Sequence, residues 1–384
     1  MGNSGHGTVL NSGAVVLPCD PWDLALCNQL FGDGADGAYA SGASGTTTLA
    51  RDMYYSAMSW SAGSTSTIST GGYKIYCSGT LNLQNAPANA INRNGISTVA
   101  SQNGGLALAP ETIGGNSGIA GTGGAAGIGN TAGSPGGQAI NNNATQYQGG
   151  IITTNAQGYQ AIAGKGANSG TFAGGTGAIA ALPSTATGTI NNLTDNFTRA
   201  IGITINPYAG GGGGCGGGGG GSGVAGNIGG AGGGGGSGGG AIFISAAEIY
   251  RDSSTSASAI SVTGGNASNG ITKTSGGGGG GGGGCGGAGG WVYMIVGMVS
   301  GQATTNLINV SSGAGGPGGN GGTGTPGNGA NGGGNNFSGR IQIFGATPGS
   351  ILIAPTGPLS AGVTGSTGYT GGAGATATIM QYTW

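Results

Sequence analysis

The stretch Gly276 to Gly284, Cys285, and then Trp291-Val292-Tyr293-Met294-Ile295-Val296 decides the fold, because a block of glycine runs straight into an apolar strand. An earlier unit has the same order: Gly211 to Gly214, Cys215, Gly216 to Gly221, a second glycine block, then Ala241-Ile242-Phe243-Ile244-Ser245. A third strand, Arg340-Ile341-Gln342-Ile343-Phe344, follows the looser tract Gly313 to Asn335. The leading strands begin at 241, 291 and 340, a repeat of about 49 residues. Return segments Ala259-Ile260-Ser261-Val262-Thr263-Gly264-Gly265 and Leu307-Ile308-Asn309-Val310-Ser311 lie between them.

The chain has 384 residues, of which 102 are glycine and only 4% are charged. Glycine at that density loses much backbone entropy on folding, so an ordered form needs a specific support. Collagen is excluded, because glycine does not fall at every third residue and only 12 prolines occur. Extended glycine rods of polyglycine II type have no internal hydrogen bonds and must bond to neighbouring backbones, which only glycine lets approach closely.

Residues 32–110 read as β-structure in short Thr-, Ile- and Tyr-rich strands: Thr46-Thr47-Thr48-Leu49, Met53-Tyr54-Tyr55, Thr67-Ile68-Ser69-Thr70, Tyr73-Lys74-Ile75-Tyr76 and Thr80-Leu81-Asn82-Leu83. The expected fold is all-β, with a β-solenoid-like N-terminal half followed by glycine-rich repeats of packed polyglycine II helices and short strands. The expected organisation is an N-terminal arm at 1–31, a β-rich module at 32–110 and a Gly/Ala/Asn-rich β segment at 111–209. A glycine-rich repeat domain at 210–345 and a C-terminal cap or tip at 346–384 follow.

The arm carries the one convincing helix, within Pro18 to Phe31. Asp20 is placed to cap it, Pro21 suits its first position, and Trp22, Leu26 and Leu30 recur at a spacing of four. These three residues are the candidate attachment contacts; the alternative is that the helix caps the protein's own core.

Catalytic chemistry has little to work with. Nine acids, eight bases and the single His6 are scattered along the chain. Gly235-Gly236-Ser237-Gly238-Gly239 matches a nucleophile elbow by chance inside a glycine tract, and metal-ligand clusters are absent. Asp33 and Asp36, in Gly32-Asp33-Gly34-Ala35-Asp36-Gly37, read as a turn rather than a calcium site. Cys19, Cys27, Cys77, Cys215 and Cys285 form no disulfide framework and are expected as free thiols, a local Cys19–Cys27 pair being the alternative, with Cys215 and Cys285 filling small gaps. No cofactor, metal or catalytic residue is expected.

A net charge of −1 gives no reason to bind nucleic acid, and no apolar run approaches the roughly 18 residues needed to cross a bilayer. Without a targeting segment, assembly inside a cell and release in a particle is the expected route.

The segments Phe31-Gly32-Asp33-Gly34-Ala35-Asp36-Gly37, Thr46 to Tyr55, and Thr70-Gly71-Gly72-Tyr73-Lys74-Ile75-Tyr76-Cys77-Ser78-Gly79-Thr80-Leu81 resemble the opening module of glycine-rich virion proteins of tailed bacteriophages. The later glycine–strand blocks are similar to the glycine-rich domain of phage tail-fibre adhesins. The resemblance spans roughly 31–95 by motif and 210–345 by pattern. It implies a minor tail or tail-fibre protein on the virion surface, a homotrimer that contacts other virion proteins and a bacterial surface glycan or outer-surface protein. A capsid decoration or head-fibre protein is the alternative. Tyr369, Tyr382 and Trp384 are the candidate receptor contacts, since exposed aromatics give large contact area at low entropic cost. Trp291 and Tyr293 are expected as buried strand residues.

Overall fold

Alternation along each strand sets the architecture. In a strand successive side chains leave on opposite faces, so a run such as Trp291-Val292-Tyr293-Met294-Ile295-Val296, apolar at every position, must be covered on both sides. The computed structural model describes residues 24–98, 108, 123–128, 131, 133–134, 184–185, 208–209, 228–273, 278–302, 306–321, 339–345 and 378–382.

One helix, α1 (Leu24–Phe31), precedes fifteen strands among the described residues. They are β1 (Ala38–Ala40), β2 (Thr46–Thr48), β3 (Met53–Tyr55), β4 (Ala57–Ser59), β5 (Thr67–Ser69), β6 (Ile75–Asn82), β7 (Ile91–Asn92), β8 (Ser184–Thr185) and β9 (Tyr208–Ala209), followed by β10 (Ala241–Tyr250), β11 (Ile260–Ser261), β12 (Trp291–Ser300), β13 (Ile308–Asn309), β14 (Arg340–Gly345) and β15 (Thr378–Tyr382). The larger sheet has the order β1-β4-β6-β10-β12-β14-β15, with β3 also on β6. The smaller has the order β13-β11-β7-β5-β2, and every pair in both is parallel. A separate antiparallel pair joins β8 to β9.

The two sheets form two layers over one aliphatic core. Ile75, Cys77, Ile242, Ile244, Val292, Met294, Ile341 and Ile343 from the larger sheet meet Ile68, Ile91, Ile260 and Ile308 from the smaller. Each fully buried branched side chain contributes about 2 kcal/mol of transfer free energy. The intervening residues Tyr76, Phe243, Trp291, Tyr293, Ile295 and Phe344 face the other way, into a second cluster closed by Leu30 and Phe31 of α1. There the rings form a ladder across five strands: Tyr54–Tyr76 at 4.8 Å, Tyr76–Phe243 at 5.5 Å, and Phe243–Tyr293 and Tyr293–Phe344 each at 5.2 Å. Trp291 and Tyr293 are both fully buried, as expected from their apolar neighbours.

This arrangement corrects the expected fold class. The β-solenoid-like half followed by a half of polyglycine II rods is replaced by parallel sheets in two layers, running through both parts of the chain with almost no helix. Ile75 of β6 lies opposite Ile244 of β10, and Ile91 of β7 opposite Ile260 of β11. The physical reason is that β6 and β7 end as open edges, and the next strands with matching alternation come more than 160 residues later. Loop-closure entropy grows only logarithmically with the intervening length, so such a long excursion costs little more than a short one.

From the sheets the chain continues into extended arms, 229–240, 262–273, 278–290 and 310–320. Their backbones bond to neighbouring arms at every third residue. Gly230, Gly233, Gly236 and Gly239 donate to the carbonyls of Gly279, Gly282, Cys285 and Ala288, at 2.7 to 3.0 Å. Gly281, Gly284, Gly287 and Gly290 turn to a different neighbour, donating to Ile271, Ser268, Gly265 and Val262. The remaining position faces a third direction. A Cβ on Gly281 would lie 1.8 Å from the Ala231 carbonyl oxygen, and one on Gly280 2.0 Å from that of Gly319. In the arm 278–290 two of the three phases are therefore closed to any side chain. Cys285 and Ala288, both fully buried, occupy the third.

Candidate recognition surface

Most of the charged groups near the sheets are committed to holding the chain. The Asp36 carboxylate accepts hydrogen bonds from Nη1 and Nη2 of Arg51 at 3.0 and 2.5 Å, and from the Tyr54 amide at 2.7 Å. The Arg51 bond, then the Tyr54 amide, holds its carboxyl below the ordinary value of 3.8. Asp52 accepts the Lys74 amide at 2.9 Å. Glu248 accepts hydroxyls from Thr80 at 2.7 Å and from Ser300. Asp252 accepts Gln84 Nε2 at 2.9 Å and both the amide and hydroxyl of Ser254.

Lys74 is 5% exposed, and burial lowers its pKa, against a smaller opposing effect of Asp52. Its Nζ stands 6.0 Å from the centre of the Phe243 ring. That distance is at the edge of cation–π range.

Asp33 Oδ1 accepts the Ala35 amide at 3.0 Å, which makes the Asp33–Asp36 segment a turn. Among the described residues no three His, Cys, Asp or Glu side chains gather where a metal ion could be held. Nor is any described helix long and apolar enough to cross a membrane. Cys77 and Cys285 are both buried, and burial pushes the Cys77 thiol up to about 11. Cys27 in α1 is disulfide-bonded, which corrects the expected free thiol in favour of the alternative that it pairs.

The candidate contacts from the sequence fall in different places. Leu30 is 3% exposed and packs in the aromatic cluster, so its side chain serves the protein's own core. Leu26 lies within α1, and Trp22 lies outside the described residues. Tyr382 belongs to β15, where its backbone is in register with Phe344. Tyr369 and Trp384 lie outside the described residues. The attachment and receptor residues are thus not brought together among the described residues.

What the sequence reading missed is the far end of the glycine arms. Ile128 and Ile228 form an antiparallel bridge there and are 59% and 44% exposed. The Gly229 amide donates to the Gly127 carbonyl at 2.9 Å and fixes that pair to the first arm. Ile271 is brought alongside by its amide bond to the Ala231 carbonyl, at 2.9 Å. The Lys273 amide bonds to the carbonyl of Asn320, and the Asn320 amide to Thr272 Oγ1 at 3.0 Å, so the ends of the 262–273 and 310–320 arms are tied together. A weak signal was present: each of Gly127-Ile128, Ile228-Gly229 and Gly270-Ile271 sets one large apolar side chain beside glycine, where it has no strand to fill.

This end can make apolar contact through Ile128 and Ile228, held on arms whose backbones are fixed by their neighbours. No family model, curated protein or solved structure matches the chain.

Proposed function

We propose that this chain is a non-enzymatic structural protein of a bacteriophage virion surface, of the minor tail or tail-fibre kind, that adheres to the host cell. The observation that carries the reading is the pair of exposed isoleucines, Ile128 and Ile228, at the end of a backbone-bonded glycine bundle. Exposed apolar side chains on a rigid support suit contact with another macromolecule. Support also comes from Asp36, Asp52, Glu248 and Asp252, whose oxygens bind amides, hydroxyls and a guanidinium of the same chain. The resemblance of the 31–95 segment to phage virion proteins supplies the particle.

Binding of the purified protein to candidate host cells, with empty capsids as the parallel target, tests it. Saturable binding to cells that is lost in Ile128→Asp/Ile228→Asp, with an unchanged melting temperature, is the expected result. Binding to capsids and not to cells would overturn adhesion and make this a decoration protein. Point substitutions are needed because removing the C-terminal residues would also remove β15 from the larger sheet.

A further inference from the structure

One face of the glycine bundle carries side chains. After β7, β11 and β13 the chain runs on as three neighbouring segments, 93–98, 262–273 and 310–320. Gly95 and Thr98 donate to the carbonyls of Thr263 and Asn266, at 2.7 and 3.0 Å. Gly264, Ala267, Gly270 and Lys273 donate to those of Ser311, Ala314, Pro317 and Asn320, each at 2.9 Å. Ser97, Asn266, Asn269, Thr272 and Asn320 are exposed on this face.

Amides in the exposed phase have no neighbouring backbone to bond to, and side chains of the adjacent segment take them instead. Asn94 Oδ1 accepts the Thr263 amide at 2.8 Å, and Ser97 Oγ that of Asn266 at 2.9 Å. Across the next gap Asn266 Oδ1 accepts the Ala314 amide at 2.9 Å, and Thr272 Oγ1 that of Asn320 at 3.0 Å. Both series advance by steps of three, from 266 to 272 and from 314 to 320, so Asn269 falls opposite residue 317. That residue is proline, which has no N–H to give.

The break leaves Asn269 with an unspent carboxamide. It is exposed, and among the described residues no group bonds to its side chain. Its backbone is nevertheless fixed on both sides. The Ser268 amide bonds to the Gly234 carbonyl, and the Gly270 amide to the Pro317 carbonyl, which holds Pro317 alongside.

We propose that Asn269 and Pro317 form a binding site for a neutral hexose polymer. A carboxamide sets an N–H donor beside a carbonyl acceptor, and two adjacent sugar hydroxyls offer the matching acceptor and donor. Pro317, half-buried, adds apolar surface for the sugar's C–H groups. The flanking backbone bonds are made before any ligand arrives, so little ordering opposes binding. Lys273 is the only charged residue in 262–273 and 310–320, so a polyanion finds no row of cations here. The site deepens the adhesive reading above, on which its biological use rests.

Binding of the full chain to mannan and to dextran, each immobilised on a sensor surface, tests it. Saturable binding to at least one of the two is expected. Periodate, which cleaves the bond between adjacent hydroxyl-bearing carbons, should abolish it. Asn269→Ala should weaken binding about tenfold. Pro317→Ala returns an N–H that Asn269 Oδ1 can accept, and should weaken binding by a similar factor although every atom of Asn269 remains. A proline that only stiffens its segment would alter melting and leave sugar binding unchanged. Ile128→Asp/Ile228→Asp should keep the sugar binding, so loss of cell adhesion and loss of sugar binding are read separately. No binding to either polymer, equal binding after periodate, or wild-type binding by Asn269→Ala or Pro317→Ala would overturn the proposal.

Discussion

The strand region and the glycine arms are continuous in the chain yet fill space by opposite means. In the sheets, side chains from two layers meet, and Ile244, Val292 and Ile260 are fully buried among one another. In the arms the backbones themselves meet, and the closest atom to a Cβ built on Gly281 is a carbonyl oxygen at 1.8 Å. The first region is harmed by losing atoms and the second by gaining them. The same interior density is reached in one by interdigitation and in the other by removing the Cβ.

The largest effect should come from adding atoms to a closed phase of an arm. Gly281→Val would drive a branched side chain into the Ala231 carbonyl and displace the Gly281 amide from Ile271. Overpacking costs about 3 kcal/mol, and each backbone bond lost adds about 1 kcal/mol or more, so little folded protein should be recovered. Gly282→Ala, in the phase that holds Cys285 and Ala288, should melt close to wild type. Gly42→Ala is the control in the sheet region, since its nearest atom would be 3.8 Å away. Equal melting temperatures for Gly281→Val and Gly282→Ala would break the comparison.

The reverse experiment removes atoms from the sheets. Ile244→Ala leaves a cavity between the layers and should cost about 3 kcal/mol in denaturant unfolding. Its midpoint should fall with little change in slope, because the loss is in packing rather than in the surface exposed on unfolding.

A smaller effect separates the two regions in time. Cys77 lies in the sheet core and Cys285 in the arms, both fully buried. Neither should react with a thiol reagent in the native protein at neutral pH, where a thiol pushed up to about 11, as Cys77 is, stays protonated. In mild denaturant, labelling of both at one rate would mean that sheets and arms open together. Earlier labelling of Cys285 would make the arms a separately opening unit.

How much of this was legible depends on what each signal encodes. The unbroken apolar run Trp291 to Val296 and the spacing of 241, 291 and 340 pointed to β10, β12 and β14, whose register has Ala241 opposite Trp291 and Trp291 opposite Arg340. The need of glycine backbones for neighbours followed from hydrogen bonding alone, and the arms bond to one another. The pairing of β6 with β10 was not legible, because period gives strand direction and face but not the partner across a long excursion. Of the two readings of the helix, the packing of Leu30 fits the one in which it caps the protein's own core. Helical spacing marks an apolar face, and the aromatic rings of the larger sheet supply its cover. Ile128 and Ile228 carry no periodic signal, being single side chains among glycines; only the end of the arms gives them meaning.

The smallest effect is electrostatic and belongs to the sheet region, since the arms 229–240, 262–273, 278–290 and 310–320 contain no carboxylate side chain. Asp36 is held below 3.8 by Arg51 and then by the Tyr54 amide. A carboxyl depressed in the folded state stabilises above its unfolded value and loses that contribution as the pH falls through its folded value. The acid limb of the melting curve should therefore begin below about pH 4, and Asp36→Asn should flatten it. The change at neutral pH should be slight, because Arg51 is 62% exposed and solvent screens the pair. Hydrogen exchange near pH 3 localises the effect. Amides of 36–54 should lose protection first while those of the arms keep theirs, because the bonds between glycine backbones do not titrate. Simultaneous loss in both regions would mean that the sheet edge holds the arms together, and that the two ways of filling space form one cooperative unit.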